Sequence, residues 1–185
     1  MSESWQSVCE RCGATKATGH TYMPNYERLL APHAADMTCV VEVGCEGGGF
    51  LRAALELFPQ ARLHGIDLSD QVSWQHERVV VHVCDQTDPR LASLFVPGSV
   101  DLVIDDCSHH PHHQRRTREL LWDALKPGGW YFIEDIQDPR ELQHWAHFPR
   151  FRVFIDYLRS PARTLSVDDI LVVLRKEPCP LPWEW

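Results

Sequence analysis

Short apolar runs rich in β-branched residues recur along the chain and predict the strands of a sheet. Segments of helical length and pattern separate the first five runs. This alternation predicts an α/β fold with a mostly parallel sheet and helices on both faces. The predicted strands span residues 39–43, 63–67, 79–83, 100–104, 130–134, 151–157 and 169–175.

Two helices and one hairpin are the clearest connections between these runs. Apolar spacing predicts a helix over 49–58, closed by Pro59, and a second over 111–126, stopped by Pro127-Gly128-Gly129. The last two runs are joined by a short loop without helical pattern. We therefore expect a C-terminal antiparallel hairpin to complete a seven-stranded sheet.

Length and composition predict one compact domain. The chain has 185 residues, of which 44% are hydrophobic, enough for a single core. Residues 1–36 precede the first strand and are expected to form an N-terminal helical cap over its carboxyl end, and 37–185 the main ligand-binding domain.

Charge and hydropathy limit the classes of partner. A formal net charge of -8 without a basic stripe argues against nucleic acid. No apolar stretch approaches the roughly 20 residues that span a bilayer, and the polar start lacks a signal-peptide core. We expect a cytoplasmic protein without a membrane partner, and a homo-oligomer is compatible with the sequence.

Seven cysteines are an odd number, which fits buried thiols better than a closed disulfide framework. Cys9 and Cys12 form a C-x-x-C, but no second pair follows at zinc-ribbon spacing. No strand-helix unit of thioredoxin type follows either. We therefore expect neither a zinc site nor a redox role there.

A glycine-rich loop follows the first predicted strand, from Glu42 through Gly44 to Gly48 and Gly49. At this position glycine lets the backbone approach a ligand. Glu46 stands where a dinucleotide fingerprint has its middle glycine, and its charge would repel a pyrophosphate. The pattern favours a cofactor without phosphates, such as S-adenosylmethionine, over a functionless turn.

Acidic residues end the next two strands. Asp67 follows the glycine loop by about 20 residues, where a carboxylate can accept hydrogen bonds from ribose hydroxyls. Asp85 ends the third strand and could accept from an adenine amino group, although a solvated loop aspartate fits nearly as well.

Two further acidic clusters follow the fourth and fifth strands. Asp106, Glu134 and Asp135 are candidate ligands for Mg²⁺, which prefers carboxylate oxygens. A cation also explains so many anionic groups at one sheet edge, since they would otherwise repel one another. The competing interpretation is a helix cap with solvated neighbours.

His109 lies three residues after Asp106 and is a candidate general base, because imidazole accepts a proton near physiological pH. The run from His109 to His113 also permits zinc or nickel. Pro111 is expected to begin the helix and turn these imidazoles in diverging directions, which disfavours that alternative.

These residues carry a family resemblance. The chain resembles the metal-dependent macrocin and mycinamicin sugar O-methyltransferases, with cephalosporin-hydroxylase-like relatives, over roughly residues 13–135. The matching positions are Gly13-Ala14-Thr15-Lys16, His20, Tyr22, Tyr26, Ile104 to His109, His113-Gln114, Leu121-Trp122, Leu125 to Gly129, Tyr131 and Ile133-Glu134-Asp135.

The resemblance implies a Rossmann-like class I methyltransferase fold that binds S-adenosylmethionine. It also implies Mg²⁺ held by Asp106, Glu134 and Asp135, with His109 as the base acting on a hydroxyl of a small molecule. A sugar or polyketide moiety of a natural product is the expected acceptor. The candidate cofactor residues are Lys16, Tyr22, Glu42, Gly44, Gly48, Asp67, Asp85, Gln86 and Asp105.

Two other functions stay open at this point. One is a tailoring enzyme that uses the same fold and metal without methyl transfer. The other is a non-catalytic partner protein that binds S-adenosylmethionine. Aromatic residues of the cap and of the loops suggest an apolar acceptor wall, namely Tyr22, Trp74, Trp145 and Phe148.

Overall fold

The computed structural model describes residues 3–18, 20, 22–155 and 170–177, and the statements below concern these residues. Residues 156–157 and 169, expected at the ends of two strands, lie outside these ranges.

The strands form one twisted sheet in the order β3-β2-β1-β4-β5-β7-β6. Strands β1 to β5 pair in parallel, and β7 runs antiparallel between β5 and β6. The mostly parallel sheet and its antiparallel hairpin are therefore confirmed. The strand bounds are β1 (Cys39–Val43), β2 (Arg62–Asp67), β3 (Val79–Val83), β4 (Val100–Asp105), β5 (Leu125–Ile133), β6 (Phe151–Ile155) and β7 (Ile170–Arg175).

Helices cover both faces of the sheet. The first four helices pack in one apolar core on one face, and the fifth packs in a second core on the other. No helix of the described residues has the length and apolar character needed to cross a bilayer. The bounds are α1 (Trp5–Cys12), α2 (Thr15–Thr18), α3 (Met23–Leu30), α4 (Gly49–Leu57), α5 (Pro111–Leu121) and α6 (Leu142–Trp145), with 3-10 turns at Ala34–Asp36, Pro89–Ser93 and Pro139–Glu141.

The N-terminal helices are tied to the sheet by their own caps and aromatic contacts. Ser4 accepts a hydrogen bond from the backbone N–H of Ser7 and begins α1, and Gly13 ends it in the left-handed conformation. Trp5 meets Phe58 edge to face at 5.3 Å. This segment therefore shares the core of α4.

The predicted end of the second helix was wrong. Helix α5 ends at Leu121, and Leu125 already pairs with Val100 in the sheet. Pro127-Gly128-Gly129 consequently lie inside β5 and do not follow the helix. Leu125 is buried in either arrangement, so apolar spacing alone cannot distinguish a last helical turn from a first strand residue.

The prediction of a helix in every connection was also wrong. Residues 68–78, between β2 and β3, contain no helix, and β3 is followed only by the 3-10 turn Pro89–Ser93. The edge strand β3 is therefore thinly covered. Val79 and Val81 are half-buried, and Val83 keeps 59% of its surface exposed.

The cysteines are free thiols at all six described positions. Cys9 is fully buried, and burial raises the pKa of its thiol to about 12. A reactive cysteine has a lowered pKa, so the chemistry of Cys9 is that of a core residue.

A pair of histidines joins β2 to β3. His64 Nδ1 and His82 Nε2 lie 2.9 Å apart, and Phe95 packs edge-on against both rings. Burial, with added repulsion from His82 and Arg62, lowers the pKa of His64 to about 4. Burial and Arg62 also lower the pKa of His82.

This pair predicts a loss of stability in acid. Because the folded pKa values lie below the unfolded value of 6.5, the unfolded chain binds protons more readily. The contribution of the two neutral histidines to the free energy of unfolding is therefore fully present above pH 6.5 and is lost as the pH falls toward about 4. After allowance for partial exposure the loss is about 1–2 kcal/mol. Denaturant titrations across this range should show that loss in the wild type and a smaller one in a His64→Gln/His82→Gln variant.

The exposed His147→Gln variant is the matched control and should follow the wild type. Identical pH profiles for the double variant and the control would contradict this origin of the acid sensitivity.

Candidate active site

Three parallel strands bring the candidate residues to one edge. Val43 of β1, Asp105 of β4 and Ile133 of β5 are register partners at the carboxyl ends of their strands. The residue after each strand therefore emerges at the same edge. These following residues are Gly44, Asp106 and Glu134.

A cavity of about 660 Å³ opens over this edge. It is bounded by the start of α2, by the glycine loop before α4, and by the loop after β4. Its polar lining includes Lys16, Glu42, Asp106, His109 and Asp135. Of the four aromatic residues expected on an apolar wall, only Trp74 lines it; Tyr22, Trp145 and Phe148 pack elsewhere.

Lys16 connects the two acidic clusters. Its side chain is 3% exposed, and its Nζ lies 2.8 Å from Asp106 Oδ2, 3.0 Å from Glu134 Oε1 and 3.1 Å from Glu42 Oε1. Burial alone would lower the pKa of this ammonium, but the three carboxylates raise it well above its usual value. Lys16 is therefore a buried ammonium that pairs with three carboxylates at the centre of the site.

Two buried tyrosines hold the carboxylates that follow β5. Tyr26 Oη donates a short hydrogen bond to Glu134 Oε1, and Tyr22 Oη donates to Asp135 Oδ1 at 2.8 Å. Both tyrosines come from the segment before β1. The N-terminal helices thus position the far end of β5.

Asp106, His109 and Asp135 form the candidate metal group. Among the described residues, these alone offer three potential ligand atoms within 4.8 Å of one another. His109 Nε2 lies 3.3 Å from Asp106 Oδ1 and 3.6 Å from Asp135 Oδ2. His109 and Asp135 have φ of 58° and 54°, a conformation that non-glycine residues rarely adopt. Such strained backbone is concentrated at functional sites.

Glu134 lies beside this group and not within it. One oxygen of its carboxylate contacts Lys16 and Tyr26, while Oε2 is buried without a hydrogen-bond partner among the described residues. Its role as a metal ligand stays a prediction.

The buried carboxylates have shifted pKa values. Burial raises the pKa of Glu42 to about 7, although Lys16 opposes the shift, and burial together with Asp106 raises that of Glu134. Burial would also raise the pKa of Asp106, but Lys16 and His109 outweigh it and hold that pKa below its usual value. Asp106 is therefore the most persistent anion of these three.

Gly44 of the glycine loop is a position that only glycine can fill. Gly44 has φ of 85°, and a Cβ built there would lie 2.1 Å from the backbone oxygen of Asp106. The loop after β4 therefore passes directly over Gly44. Three predicted cofactor residues line the cavity at this end, namely Lys16, Glu42 and Gly44.

Two other predicted cofactor residues support this loop from outside the cavity lining. Asp67 accepts hydrogen bonds from the backbone N–H of Glu46 at 3.0 Å and of Ser69 at 3.3 Å. Gly48 is buried behind Trp74. Their contact with a cofactor, like that of Tyr22, stays a prediction.

Asp85, Gln86 and Asp105 also lie outside the cavity lining. Asp85 caps the backbone N–H of Thr87 at 2.7 Å. The buried Asp105 faces Tyr131 Oη at 3.4 Å and Gln86 Nε2 at 3.5 Å, and burial raises its pKa to about 8. The structure therefore places Asp105 in a polar network beneath the site, and a cofactor role for these three stays a prediction.

Sequence reasoning missed Arg52 in the cavity wall and its contact with Trp74. Arg52 of α4 lies over the Trp74 ring at 5.0 Å, and Trp74 Nε1 donates to the Gly47 carbonyl at 3.3 Å. Trp74 was noted only as an apolar residue, and neither strand nor helix periodicity relates it to Arg52. Their proximity depends on the unpredicted course of residues 68–78.

Comparison with known proteins identifies the relatives of this site. A methyltransferase domain model matches residues 41–131. A 2'-O-methyltransferase of 8-demethyl-8-alpha-L-rhamnosyl tetracenomycin-C from Streptomyces olivaceus is 36% identical over 75% of this chain and 38% of its own length. Demethylmacrocin O-methyltransferase from Streptomyces fradiae is 33% identical over 83% of this chain and 39% of its own length.

A solved structure supports the fold. The MycE methyltransferase of the mycinamycin biosynthetic pathway, in complex with Mg and SAH, superposes with a TM-score of 0.76 at 22% identity. The match covers 100% of this chain and 58% of that protein. The chain thus spans about two fifths of the length of the curated relatives it matches.

Proposed function

We propose that the chain is an S-adenosylmethionine- and Mg²⁺-dependent O-methyltransferase, because a methyltransferase domain model matches residues 41–131 and the chain is similar to demethylmacrocin and rhamnosyl-tetracenomycin O-methyltransferases. The observation that carries the proposal is the convergence of Asp106, His109 and Asp135 on the cavity beside the glycine loop. This arrangement combines acidic ligands and a base with a loop of the kind that binds nucleosides.

The donor set fits a hard divalent cation. Asp106 and Asp135 offer carboxylate oxygens, and the buried Glu134 Oε2 has no hydrogen-bond partner among the described residues. An unpaired buried carboxylate oxygen is costly, and a cation beside it would remove that cost. We assign Asp106, Glu134 and Asp135 to Mg²⁺ within this proposal.

The glycine-loop end fits the amino-acid part of S-adenosylmethionine. Glu42 lines the cavity, and its Oε2 is buried without a hydrogen-bond partner within the described ranges. An ammonium group would supply the missing donor and favour the charged carboxylate. Lys16, Tyr22, Gly44, Gly48, Asp67, Asp85, Gln86 and Asp105 are the other proposed cofactor residues.

When bound, S-adenosylmethionine supplies an electrophilic methyl group, and the divalent ion stabilises the deprotonated form of a hydroxyl. The protein's residues orient the acceptor and remove its proton. His109 lines the cavity beside Asp106 and Asp135, and its imidazole accepts the hydroxyl proton in this proposal. The two neighbouring carboxylates stabilise the imidazolium that results.

The proposed acceptor is a hydroxyl of a small molecule, in particular a sugar or polyketide moiety of a natural product. The rhamnosyl group in the printed name of one relative supports this class. The cytoplasmic location and the absence of nucleic-acid or membrane partners stay predictions.

Methyl transfer and metal dependence are tested together. Incubation with S-adenosylmethionine, Mg²⁺ and glycosylated macrolides or polyketides that carry free sugar hydroxyls should add one CH₂ to the acceptor mass. EDTA should abolish the gain, and Mg²⁺ should restore it. Asp106→Asn should lower turnover by about 100-fold or more, because a ligand is lost.

The exposed Asp123→Asn variant is the matched control and should retain activity. Full activity of the Asp106→Asn variant in chelator would refute the metal proposal. If the protein binds the cofactor and converts the acceptor without adding a methyl group, the result would favour the tailoring alternative. Cofactor binding without turnover of any acceptor would favour the non-catalytic partner.

A further inference from the structure

We propose that Lys16 is a resident counter-cation of the metal site, which keeps the metal-free site assembled and weakens its affinity for a divalent ion. The inference rests on the metal binding of the proposed function and concerns how that binding is tuned. Its basis is the position of one buried ammonium among the carboxylates assigned to the metal.

Lys16 shares carboxylates with the metal group without blocking them. It contacts Asp106 through Oδ2, whereas Oδ1 of the same carboxylate faces His109. It contacts Glu134 through Oε1, whereas Oε2 remains without a hydrogen-bond partner among the described residues. One oxygen of each carboxylate is thus held by the ammonium, and the other is not.

The charges show why a cation is needed there. Glu42, Asp106 and Glu134 lie within 3.1 Å of Lys16, and no other lysine or arginine of the described residues forms an ion pair with them. Three carboxylates thus contact one ammonium, and Asp135, which contacts His109, adds a fourth carboxylate to the site. Their residual negative charge attracts a divalent ion, while the ammonium at the same carboxylates repels it.

Whether metal affinity rises or falls when Lys16 is removed depends on the other contacts that hold the ligands. Tyr26 holds Glu134, Tyr22 holds Asp135, and His109 contacts Asp106. These contacts do not involve Lys16, so once a metal is bound the ligands should keep their positions without the ammonium. Removal would relieve the repulsion between the ammonium and the metal, so the metal should bind more tightly.

The test is metal binding by the full chain, with no acceptor and no turnover. Mg²⁺ affinity is measured calorimetrically and Mn²⁺ affinity by electron paramagnetic resonance, for the wild type, Lys16→Met and Lys16→Arg. We expect Lys16→Met to bind both ions about tenfold more tightly or better, and Lys16→Arg to stay close to the wild type. We also expect the thermal midpoint of Lys16→Met to fall in EDTA and to recover with Mg²⁺ more than that of the wild type.

Two further variants keep the test decisive. Lys126→Met removes a lysine that pairs with Asp101 at 2.7 Å, outside this cavity, and should leave metal affinity unchanged. If Lys16→Met does not fold without metal, Lys16→Met/Glu42→Gln removes one charge of each sign, and a smaller increase in affinity is expected because loss of the Glu42 charge offsets part of the gain.

The outcomes separate this inference from the proposed function. Metal binding by the wild type with equal or weaker binding by Lys16→Met would overturn the role of Lys16 and leave the methyltransferase proposal intact. Binding by Lys16→Met alone would support the inference, since the ammonium would then replace the metal in the wild type. Absence of binding by every variant would overturn both.

Discussion

Replacement of His109 by asparagine is expected to lower kcat/KM for methyl transfer by roughly 100- to 10,000-fold, the usual contribution of a general base. Asparagine tolerates the left-handed conformation that His109 adopts, with φ of 58°, so the loop should keep its course. An amide cannot accept the acceptor's proton. Steady-state kinetics with S-adenosylmethionine and a methylatable acceptor measure the effect.

Metal affinity separates the two roles that His109 can have beside Asp106 and Asp135. A base leaves Mg²⁺ affinity unchanged in the His109→Asn variant, and Mg²⁺ prefers oxygen ligands. A parallel loss of metal affinity and rate would instead make His109 a ligand and contradict the assignment. His112→Gln, at an exposed position in the first turn of α5, is the matched control and should keep wild-type kinetics.

Gly44→Ala is expected to reduce the free energy of unfolding by more than about 3 kcal/mol. The new Cβ would lie 2.1 Å from the carbonyl oxygen of Asp106 and 2.6 Å from Cys107 Cα, both backbone atoms that side-chain rotation cannot relieve. Positive φ at Gly44 adds to the strain. Separation of the loops would also move Asp106, so metal affinity should fall with stability. Denaturant titration and calorimetry measure the two effects.

Two other glycines separate the effect of the close backbone contact at Gly44 from the effect of its positive φ. Gly98 has φ of 71° but open space around a built Cβ, so Gly98→Ala should cost only about 1–2 kcal/mol. Gly47 has neither a positive φ nor a close neighbour, and its alanine variant should resemble the wild type. Equal destabilisation by Gly44→Ala and Gly98→Ala would mean that the close approach of the loops has no energetic role.

The strands were predictable because their buried runs are short and β-branched. The limits of β1 and β3 agree with the expected 39–43 and 79–83. The connections were harder, since helix α5 and strand β5 are separated by residues 122–124, whose apolar positions fit either element. Backbone hydrogen bonds such as Val100 N–H to the Ala124 carbonyl, at 2.9 Å, decide between them.

The site was predictable where it follows strand ends and unpredictable where it depends on tertiary contacts. Asp106 and Asp135 reach one edge because β4 and β5 are parallel neighbours. Lys16 lies 90 residues before Asp106 and 118 before Glu134, so no local pattern connects them. The resemblance identified Lys16 as a candidate cofactor residue, but its contacts with three carboxylates required the structure.

The thin cover of β3 has a consequence for motion. An edge strand with half-buried valines and no helix over residues 68–78 gains less from packing than β1 or β4. Local opening should therefore require less free energy at β3 than at β1 or β4. Strands β2 and β1 separate β3 from β4, which precedes Asp106. Strand β3 can thus open locally while the carboxylates and His109 keep their spacing. The strand that opens most easily is therefore not one of those that carry the site.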